Sequence, residues 1–283
     1  MNHNISSMRY YYNDSSVDRR EFLKKLTVLT GGAAFTCTIT RGHESMADIV
    51  SPDDPRLQTN MITYPGSTGQ VQAYLAKLKD KEKLPAVIVI HENRGLQPHI
   101  KDVARRIALE GFLALAPDAL SPLGGTPDNQ DEARSKIGEL DNEKTIKDIV
   151  AAVKYLKTHP NSTGRVGCTG FCWGGGMTNQ VAVNAPDLVA AVPYYGRQPA
   201  AEDVPKIKAA VLAHYGELDD RINAGIPAFE EALKSAGIDY QIYIYKGAQH
   251  AFNNDTNPGR YNKEAAELAW KRTIAFFKEK LNT

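Results

Sequence analysis

Near its middle the chain reads Gly170-Phe171-Cys172-Trp173-Gly174-Gly175-Gly176, a glycine-rich turn with a cysteine at its centre. Residues 165–169 before it predict a short buried strand, and residues 177–183 after it predict the start of a helix. Strand, Gly-x-nucleophile-x-Gly turn and helix, in this order, are typical of a nucleophile elbow. The flanking glycines lack the Cβ that would clash in so sharp a turn, and the helix N-terminus favours a thiolate at Cys172. A glycine-rich turn with a structural cysteine is the alternative for this segment alone.

Two further polar side chains follow later predicted strands in the same way. Asp219 comes just after the apolar residues 209–215, and His250 follows residues 240–245, which are rich in β-forming side chains. The carboxyl ends of parallel strands meet at one edge of a sheet. The order nucleophile, acid, histidine therefore predicts a triad of Cys172, Asp219 and His250 at that edge.

The chain resembles the dienelactone hydrolase family, which are α/β-hydrolases with a cysteine nucleophile. The resemblance runs from about Met61 to the C-terminus. Four segments carry it: the Cys172 turn, Gly216-x-x-Asp219, Gly247-x-x-His250-x-Phe252 and His91-Glu92-Asn93-Arg94-Gly95. It implies an α/β-hydrolase fold in a single domain and the cleavage of a small ester or lactone, and it implies no cofactor and no metal.

The chemistry that these residues predict is acyl transfer to sulfur. His250 can take the thiol proton, and Asp219 can hold the imidazole in one tautomer and stabilise its cation. Attack of Cys172 on an ester carbonyl makes an oxyanion, for which the backbone N–H groups of Trp173 and Asn93 are the expected donors. A thioester then forms and water resolves it. Small activated esters and lactones suit this centre better than amides.

The resemblance also implies that Glu92 takes the thiol proton when substrate arrives. A carboxylate paired with Arg94 or with another arginine is the alternative for Glu92, and a hydrogen-bonding structural residue is the interpretation of His91. In dienelactone hydrolases an arginine that grips the substrate carboxylate lies a few residues after the catalytic histidine, where this chain has Asn253-Asn254. The dienelactone substrate itself is therefore in doubt.

Several side chains near the predicted strand ends are candidates for binding substrate, either as a different anion site or as an apolar wall. They are equally compatible with ordinary ion pairs and aromatic packing. These candidates are Arg94, Tyr195, Arg197, Arg221 and Phe252.

Strands alternate with helices along the chain, which predicts an α/β fold with a mostly parallel sheet wrapped by helices. The predicted strands are 61–65, 71–78, 85–90, 112–116, 165–169, 188–195, 209–215 and 240–245. The predicted helices are 100–109, 142–158, the segment from 177, 224–236 and 263–281. Residues 120–140 have no clear periodicity, and we expect either a lid or pocket wall, or a solvated loop.

Length and composition support one domain with an N-terminal extension. With 283 residues and 42% hydrophobic residues, the chain can bury one sizeable core. We predict an extension at 1–47, a linker at 48–60 and the hydrolase domain at 61–283. The formal charge of +1 gives no sign of nucleic-acid binding, and no apolar run is long enough for an ordinary membrane span.

The extension contains an export-like motif. Residues 19–24, Arg-Arg-Glu-Phe-Leu-Lys, match the twin-arginine pattern, and the mildly apolar residues 26–39 follow. We expect the twin-arginine export machinery as a partner and a periplasmic location. An amphipathic surface helix on a cytoplasmic protein is the alternative.

Two other classes of function remain open from the sequence. Cys168 and Cys172 suggest a thiol redox protein, but four extended residues span about 13 Å, whereas bridged cysteines have Cα atoms within about 7 Å. Cys168 is better interpreted as a core residue of the strand. A non-catalytic binding domain on a hydrolase scaffold is the second alternative.

Overall fold

Eight strands between Leu57 and Tyr245 form one sheet in the computed structural model, which describes residues 9–11 and 50–282. They are β2 (Leu57–Pro65), β3 (Gln70–Leu78), β4 (Leu84–Ile90), β5 (Leu113–Pro117), β6 (Ser162–Phe171), β7 (Ala190–Tyr194), β8 (Ala210–Gly216) and β9 (Tyr240–Tyr245). A three-residue strand, β1 (Arg9–Tyr11), pairs in parallel with β9 at one edge. The order across the sheet is β1-β9-β8-β7-β6-β4-β5-β3-β2. Only the β2–β3 and β3–β5 pairs are antiparallel, so the carboxyl ends of β4, β6, β7, β8 and β9 share one edge.

Helices cover both faces of this sheet. They are α1 (Pro98–Leu109), α2 (Gln130–Glu139), α3 (Asn142–Thr158), α4 (Trp173–Asn184), α5 (Asp220–Asn223), α6 (Ile226–Ser235) and α7 (Lys263–Leu281). One apolar cluster joins α3, α4 and α6 to the sheet, and a second joins α1 and α7 to it. The strand β4 is buried along its whole length because it lies between the two clusters, as its continuous apolar sequence predicts.

The predicted α/β fold is confirmed, and the eight strands lie where the sequence places them to within a few residues. The prediction of an irregular 120–140 segment is wrong in part, because α2 forms there. The side chain of Asn129 caps α2 by accepting hydrogen bonds from the backbone N–H groups of Asp131 and Glu132. Of the residues in α2 only Ala133 is buried, so the helix has little apolar periodicity to reveal it. The four-residue helix α5 was also not anticipated.

Val50, within the predicted linker at 48–60, is tied to α1. The backbone N–H of Val50 donates to Asp102, and Arg105 donates to the carbonyl oxygen of Val50 at 2.6 Å. The twin-arginine motif at 19–24 and the rest of the predicted extension, apart from residues 9–11, lie outside the described residues. Among the residues that the structure describes, none of the helices has the length and apolarity needed to cross a bilayer.

Candidate active site

Cys172 lies at the turn between β6 and α4. Its backbone φ angle is 56°, a value that residues other than glycine rarely adopt. The turn is so tight that a Cβ on Gly170 would collide with the carbonyl oxygen of Gly174. A Cβ on Gly174 would collide with the carbonyl oxygen of His91. The N–H of Cys172 donates to the carbonyl of Tyr194 at 3.1 Å, which anchors the turn to β7. The half-buried thiol faces a cavity at the carboxyl edge of the sheet.

Asp219 and His250 lie on neighbouring loops after β8 and β9. The N–H of Leu218 donates to the carbonyl of Ala248 at 2.9 Å, and Gly216 has no room for a Cβ against the same loop. This contact brings the two side chains together, and Nδ1 of His250 forms a hydrogen bond with Oδ2 of the buried Asp219.

The imidazole of His250 also lies close enough to Cys172 for the two groups to influence each other, so the three predicted triad residues lie together. Burial by itself lowers the pKa of His250. The hydrogen bond to Asp219, together with the polar and charged neighbour Cys172 and the charge of Asp219, outweighs burial and raises that pKa to about 9. His250 therefore holds its second proton at neutral pH.

The expected oxyanion donors lie beside the thiol. Trp173 is the first residue of α4, so its N–H has no partner within the helix, and both Trp173 and Asn93 line the cavity. The ring of His91 stacks on Trp173 with centroids 5.3 Å apart. His91 accepts from the N–H of Ala119 at 3.1 Å and donates through Nδ1 to the carbonyl of Glu92 at 2.6 Å. Because burial lowers its pKa, His91 remains neutral and acts as a structural support for this corner.

Glu92 is not among the residues that line the cavity in front of Cys172. Its Oε2 accepts a hydrogen bond from the Asn254 amide at 2.7 Å, while its buried Oε1 has no hydrogen-bond partner among the described residues. Glu92 lines a separate cavity of about 480 Å³ together with Arg94, whose guanidinium contacts Asp131 at 3.4 Å. The alternative in which Glu92 pairs with Arg94 is therefore not what this structure shows.

The cavity in front of Cys172 has a volume of about 860 Å³. Of the predicted substrate-binding residues, Tyr195, Arg197 and Arg221 line it. Arg94 does not, and Phe252 is fully buried in the aromatic core. The pocket wall that was one of the two expectations for residues 120–140 is present, since α2 contributes Arg134, Ile137 and Gly138 to the lining of the cavity. Residues 130–139 thus form a pocket wall and not a solvated loop.

Tyr195 joins the triad to the aromatic core. Its ring lies 5.1 Å from that of His250 and 5.3 Å from that of Phe252. Burial, with the nearby negative charge of Glu92 and Cys172, raises the pKa of Tyr195 well above its ordinary value. Among the described residues, three residues other than glycine have a positive backbone φ angle, and all three belong to this region: Cys172, Tyr195 and Ala251. Backbone strain is thus concentrated where the loops converge.

Cys168 lies in the core of β6, as the sequence predicts. It is fully buried, its sulfur lies 3.8 Å from the hydroxyl of Thr178, and burial raises its pKa to about 12. Both Cys168 and Cys172 are free thiols. Within residues 9–11 and 50–282 no group of three or more metal-ligating side chains is present.

Comparison with known proteins gives a consistent family assignment. The profile of the dienelactone hydrolase family matches residues 71–281. An Escherichia coli O157:H7 protein with the provisional name carboxymethylenebutenolidase is 32% identical over 246 residues, which is 82% of this chain and 90% of that protein. A Saccharolobus solfataricus protein with the same provisional name is 34% identical over 255 residues, covering 77% of this chain and 97% of that protein.

Solved structures of similar proteins share the fold. A Klebsiella pneumoniae protein provisionally named a dienelactone hydrolase is 29% identical with a TM-score of 0.70, and the match covers 78% of this chain and 98% of that one. A dienelactone hydrolase-like promiscuous phosphotriesterase from metagenomic libraries is 25% identical with a TM-score of 0.71, covering 80% of this chain and 99% of the other.

Proposed function

Because this chain belongs to the dienelactone hydrolase family and is a hydrolase of the ester or lactone type, we propose that it cleaves a small ester or lactone through Cys172, His250 and Asp219. The observation that carries the proposal is that Cys172 and His250 line the same cavity while His250 is hydrogen-bonded to the buried Asp219. The cavity is large enough for a small ester. Nucleophile, base and orienting acid are the three groups that acyl transfer needs.

In the first half of the reaction the sulfur of Cys172 attacks the ester carbonyl carbon. The carbonyl oxygen becomes an oxyanion, and the N–H groups of Trp173 and Asn93 stabilise it. The imidazolium of His250 gives its proton to the departing alkoxide as the carbon–oxygen bond breaks. An alcohol leaves, or the ring opens if the substrate is a lactone, and the acyl group stays on sulfur as a thioester.

In the second half water resolves the thioester. The neutral imidazole of His250 now accepts a proton from the attacking water, and Asp219 stabilises the cation that results. The carbon–sulfur bond breaks and the acid product leaves. Cys172 leaves as a thiolate beside the imidazolium of His250, so atoms and charges balance over these two halves.

We further propose that Glu92 is a second acceptor for the thiol proton. On this proposal the resting enzyme holds a neutral thiol beside the imidazolium of His250, and Glu92 takes the thiol proton when substrate arrives while His250 remains an acid. Glu92 gives the proton back to Cys172 after the thioester has been hydrolysed. Glu92 is bonded to Asn254 in the neighbouring cavity, so its side chain must rotate to reach the thiol. An arriving substrate that disturbs the Asn254 contact would start that rotation.

The deciding experiment uses a chromogenic short-chain ester and the full chain. We expect steady release of the chromophore, loss of activity after iodoacetamide treatment, and no need for a reductant. A thiol redox protein would instead need a reductant cycle, and the burial of Cys168 already disfavours that class. A binding domain would give no turnover at all.

We also propose that the twin-arginine motif at 19–24 directs the folded chain to the periplasm. Twin-arginine export carries folded proteins, so the thiol would cross the membrane inside a formed site. The support for this proposal is the motif and the weakly apolar stretch that follows it.

A further inference from the structure

Next to the Cys172 cavity lies a second space of about 400 Å³. The two spaces have five lining residues in common, which are Arg197, Gln198, Pro199, Arg221 and Ile222. They therefore lie side by side against the same two loops. Arg197 and Arg221 thus belong both to the cavity of the thiol and to its neighbour, which Phe229 of α6 also lines.

Arginines line these two spaces without acidic neighbours. Arg197 and Arg221 line both spaces and Arg134 lines the first, while no aspartate or glutamate lines either. Neither Arg197 nor Arg221 forms an ion pair with any residue that the structure describes. Both residues are exposed, and guanidinium groups without carboxylate partners are available to a carboxylate or phosphate ligand.

The backbone holds these two arginines in place. The buried Asn179 donates to the carbonyl oxygen of Arg197 at 2.9 Å, and a Cβ on Gly196 would collide with Gly175, so the loop after β7 is docked on α4. Arg221 lies in the short helix that begins directly after Asp219.

The two loops are also joined to each other. The Gln198 amide donates to the carbonyl oxygen of Ile222 at 3.2 Å, and Gly225 has no room for a Cβ because the oxygen of Gln198 occupies that space. The positions from which the arginine side chains extend are thus fixed relative to each other and to the triad.

We propose that Arg197 and Arg221 bind a terminal oxyanion, a carboxylate or a phosphate, at the end of the substrate remote from the ester bond. The proposal rests on the proposed hydrolase function. The substrate class is then an extended monoester or lactone with an apolar middle and an anionic end. The ester lies at Cys172, and the anionic end lies against Arg197 and Arg221, which line the same cavity.

The test compares 4-nitrophenyl half-esters of straight-chain dicarboxylic acids, from adipic to sebacic, with the same esters methyl-capped at the free carboxylate. A third series ends in a phosphate monoester, which separates the two kinds of anion. For the full chain we expect kcat/KM for the preferred charged series to exceed that for the capped series about five- to tenfold at low salt, mostly through KM.

In the variant Arg197→Gln/Arg221→Gln, kcat/KM for the charged esters divided by kcat/KM for the capped esters should fall to about one. The variant Arg197→Lys/Arg221→Lys should keep part of this preference. Arg260→Gln removes an exposed arginine outside both spaces and should keep the full ratio. The thermal midpoint of each variant reports whether it folds.

Hydrolysis of capped and charged esters at equal rates, or a preference that survives the double glutamine variant, overturns the subsite and leaves the hydrolase intact. If no ester is hydrolysed, the hydrolase proposal fails. Calorimetric titration of the full chain with adipate and dimethyl adipate then tests the subsite alone, and equal or no binding of the two rejects it.

Discussion

The side-chain amide of Asn254 donates to a carboxylate oxygen of Glu92 at 2.7 Å, although the two residues are 162 positions apart. The oxygen of this amide already accepts from the backbone N–H and the hydroxyl of Thr256, at 3.0 and 2.6 Å. The NH₂ group therefore has to face Glu92. A neutral amide holds the carboxylate by one hydrogen bond without an opposing charge, which is a weaker tether than an arginine at the same place.

The first prediction concerns Glu92 as a base. Glu92→Gln keeps the size and the acceptor oxygen for Asn254 but removes the basicity. If Glu92 takes the thiol proton, kcat should fall about 100- to 10,000-fold, with KM changed less. Steady-state kinetics on one ester measures this. A glutamine variant within about threefold of the parent would make Glu92 structural and leave His250 as the sole base.

The second prediction uses the two described cysteines as a matched pair. Cys172→Ala should abolish ester hydrolysis with little change in thermal midpoint, because Cys172 is half-buried at a turn. Cys168→Ala should keep activity but lose about 1 kcal/mol of stability, since it leaves a small void in the core of β6. Turnover and thermal midpoint are measured on both. Residual turnover near the parent rate in a folded Cys172→Ala chain would exclude this nucleophile.

The third prediction follows from the raised pKa of His250. The folded value of about 9 lies above the ordinary 6.5, so the folded state binds this proton more tightly. The linked stability is complete below pH 6.5 and is lost as the pH rises through about 9. Denaturant unfolding between pH 6 and 10 on the parent and on Asp219→Asn should show this loss in the parent and much less in the variant.

The same proton should appear in the kinetics. Because the imidazolium protonates the leaving group, we expect kcat for an alkyl ester to fall as the pH rises through about 9. A 4-nitrophenyl ester, whose leaving group needs little protonation, is the control, and its kcat should fall less at high pH. If kcat falls equally for the two esters, His250 is not the acid that protonates the leaving group.

The fourth prediction compares Gly→Ala substitutions at a crowded and at an open position. Gly170→Ala should cost about 3 kcal/mol or prevent folding, because its Cβ would meet the carbonyl of Gly174. Gly138→Ala should stabilise the chain by about 0.5–1 kcal/mol, since Gly138 lies in α2 with nothing within 4 Å of the added Cβ. Thermal unfolding of both variants is the measurement. Similar midpoints for the two would show that the Cys172 turn can relax.

The fifth prediction concerns export. Replacing both Arg19 and Arg20 by Lys should keep the chain in the cytoplasm with its esterase activity intact, because the motif is needed for targeting and not for catalysis. Cell fractionation followed by an activity assay on each fraction measures this. Unchanged export would leave residues 19–24 as an ordinary part of the N-terminal segment.

The sequence predicts the strands and the Cys172, Asp219 and His250 cluster well, because each of these residues directly follows an apolar strand. It predicts poorly which way a loop side chain turns. Phe252 packs into the aromatic core against Tyr245 and Arg94 turns towards Asp131, although both lie close in sequence to site residues. Spacing along a loop carries no information about that direction, since it depends on contacts with segments far away in the chain.

A pocket wall was one of two expectations for residues 120–140, but the helical form of α2 was beyond sequence reasoning. Its side chains point to solvent or into the cavity and bury almost nothing, so the usual apolar period is missing. The hydrogen bond between Glu92 and Asn254 likewise joins loops that are distant in sequence, and no local sequence pattern predicts it.

The position of His250 after the last strand has a consequence for the chain during its synthesis. Cys172 and its turn leave the ribosome well before β9 and the His250 loop do, and domains generally fold as units once their strands are available. Until this later segment has been made, the thiol has neither its imidazole nor the cavity walls that depend on the finished sheet. A growing chain that stops before residue 250 therefore displays Cys172 without its histidine, and the reactive centre first exists after β9 and the His250 loop have been added.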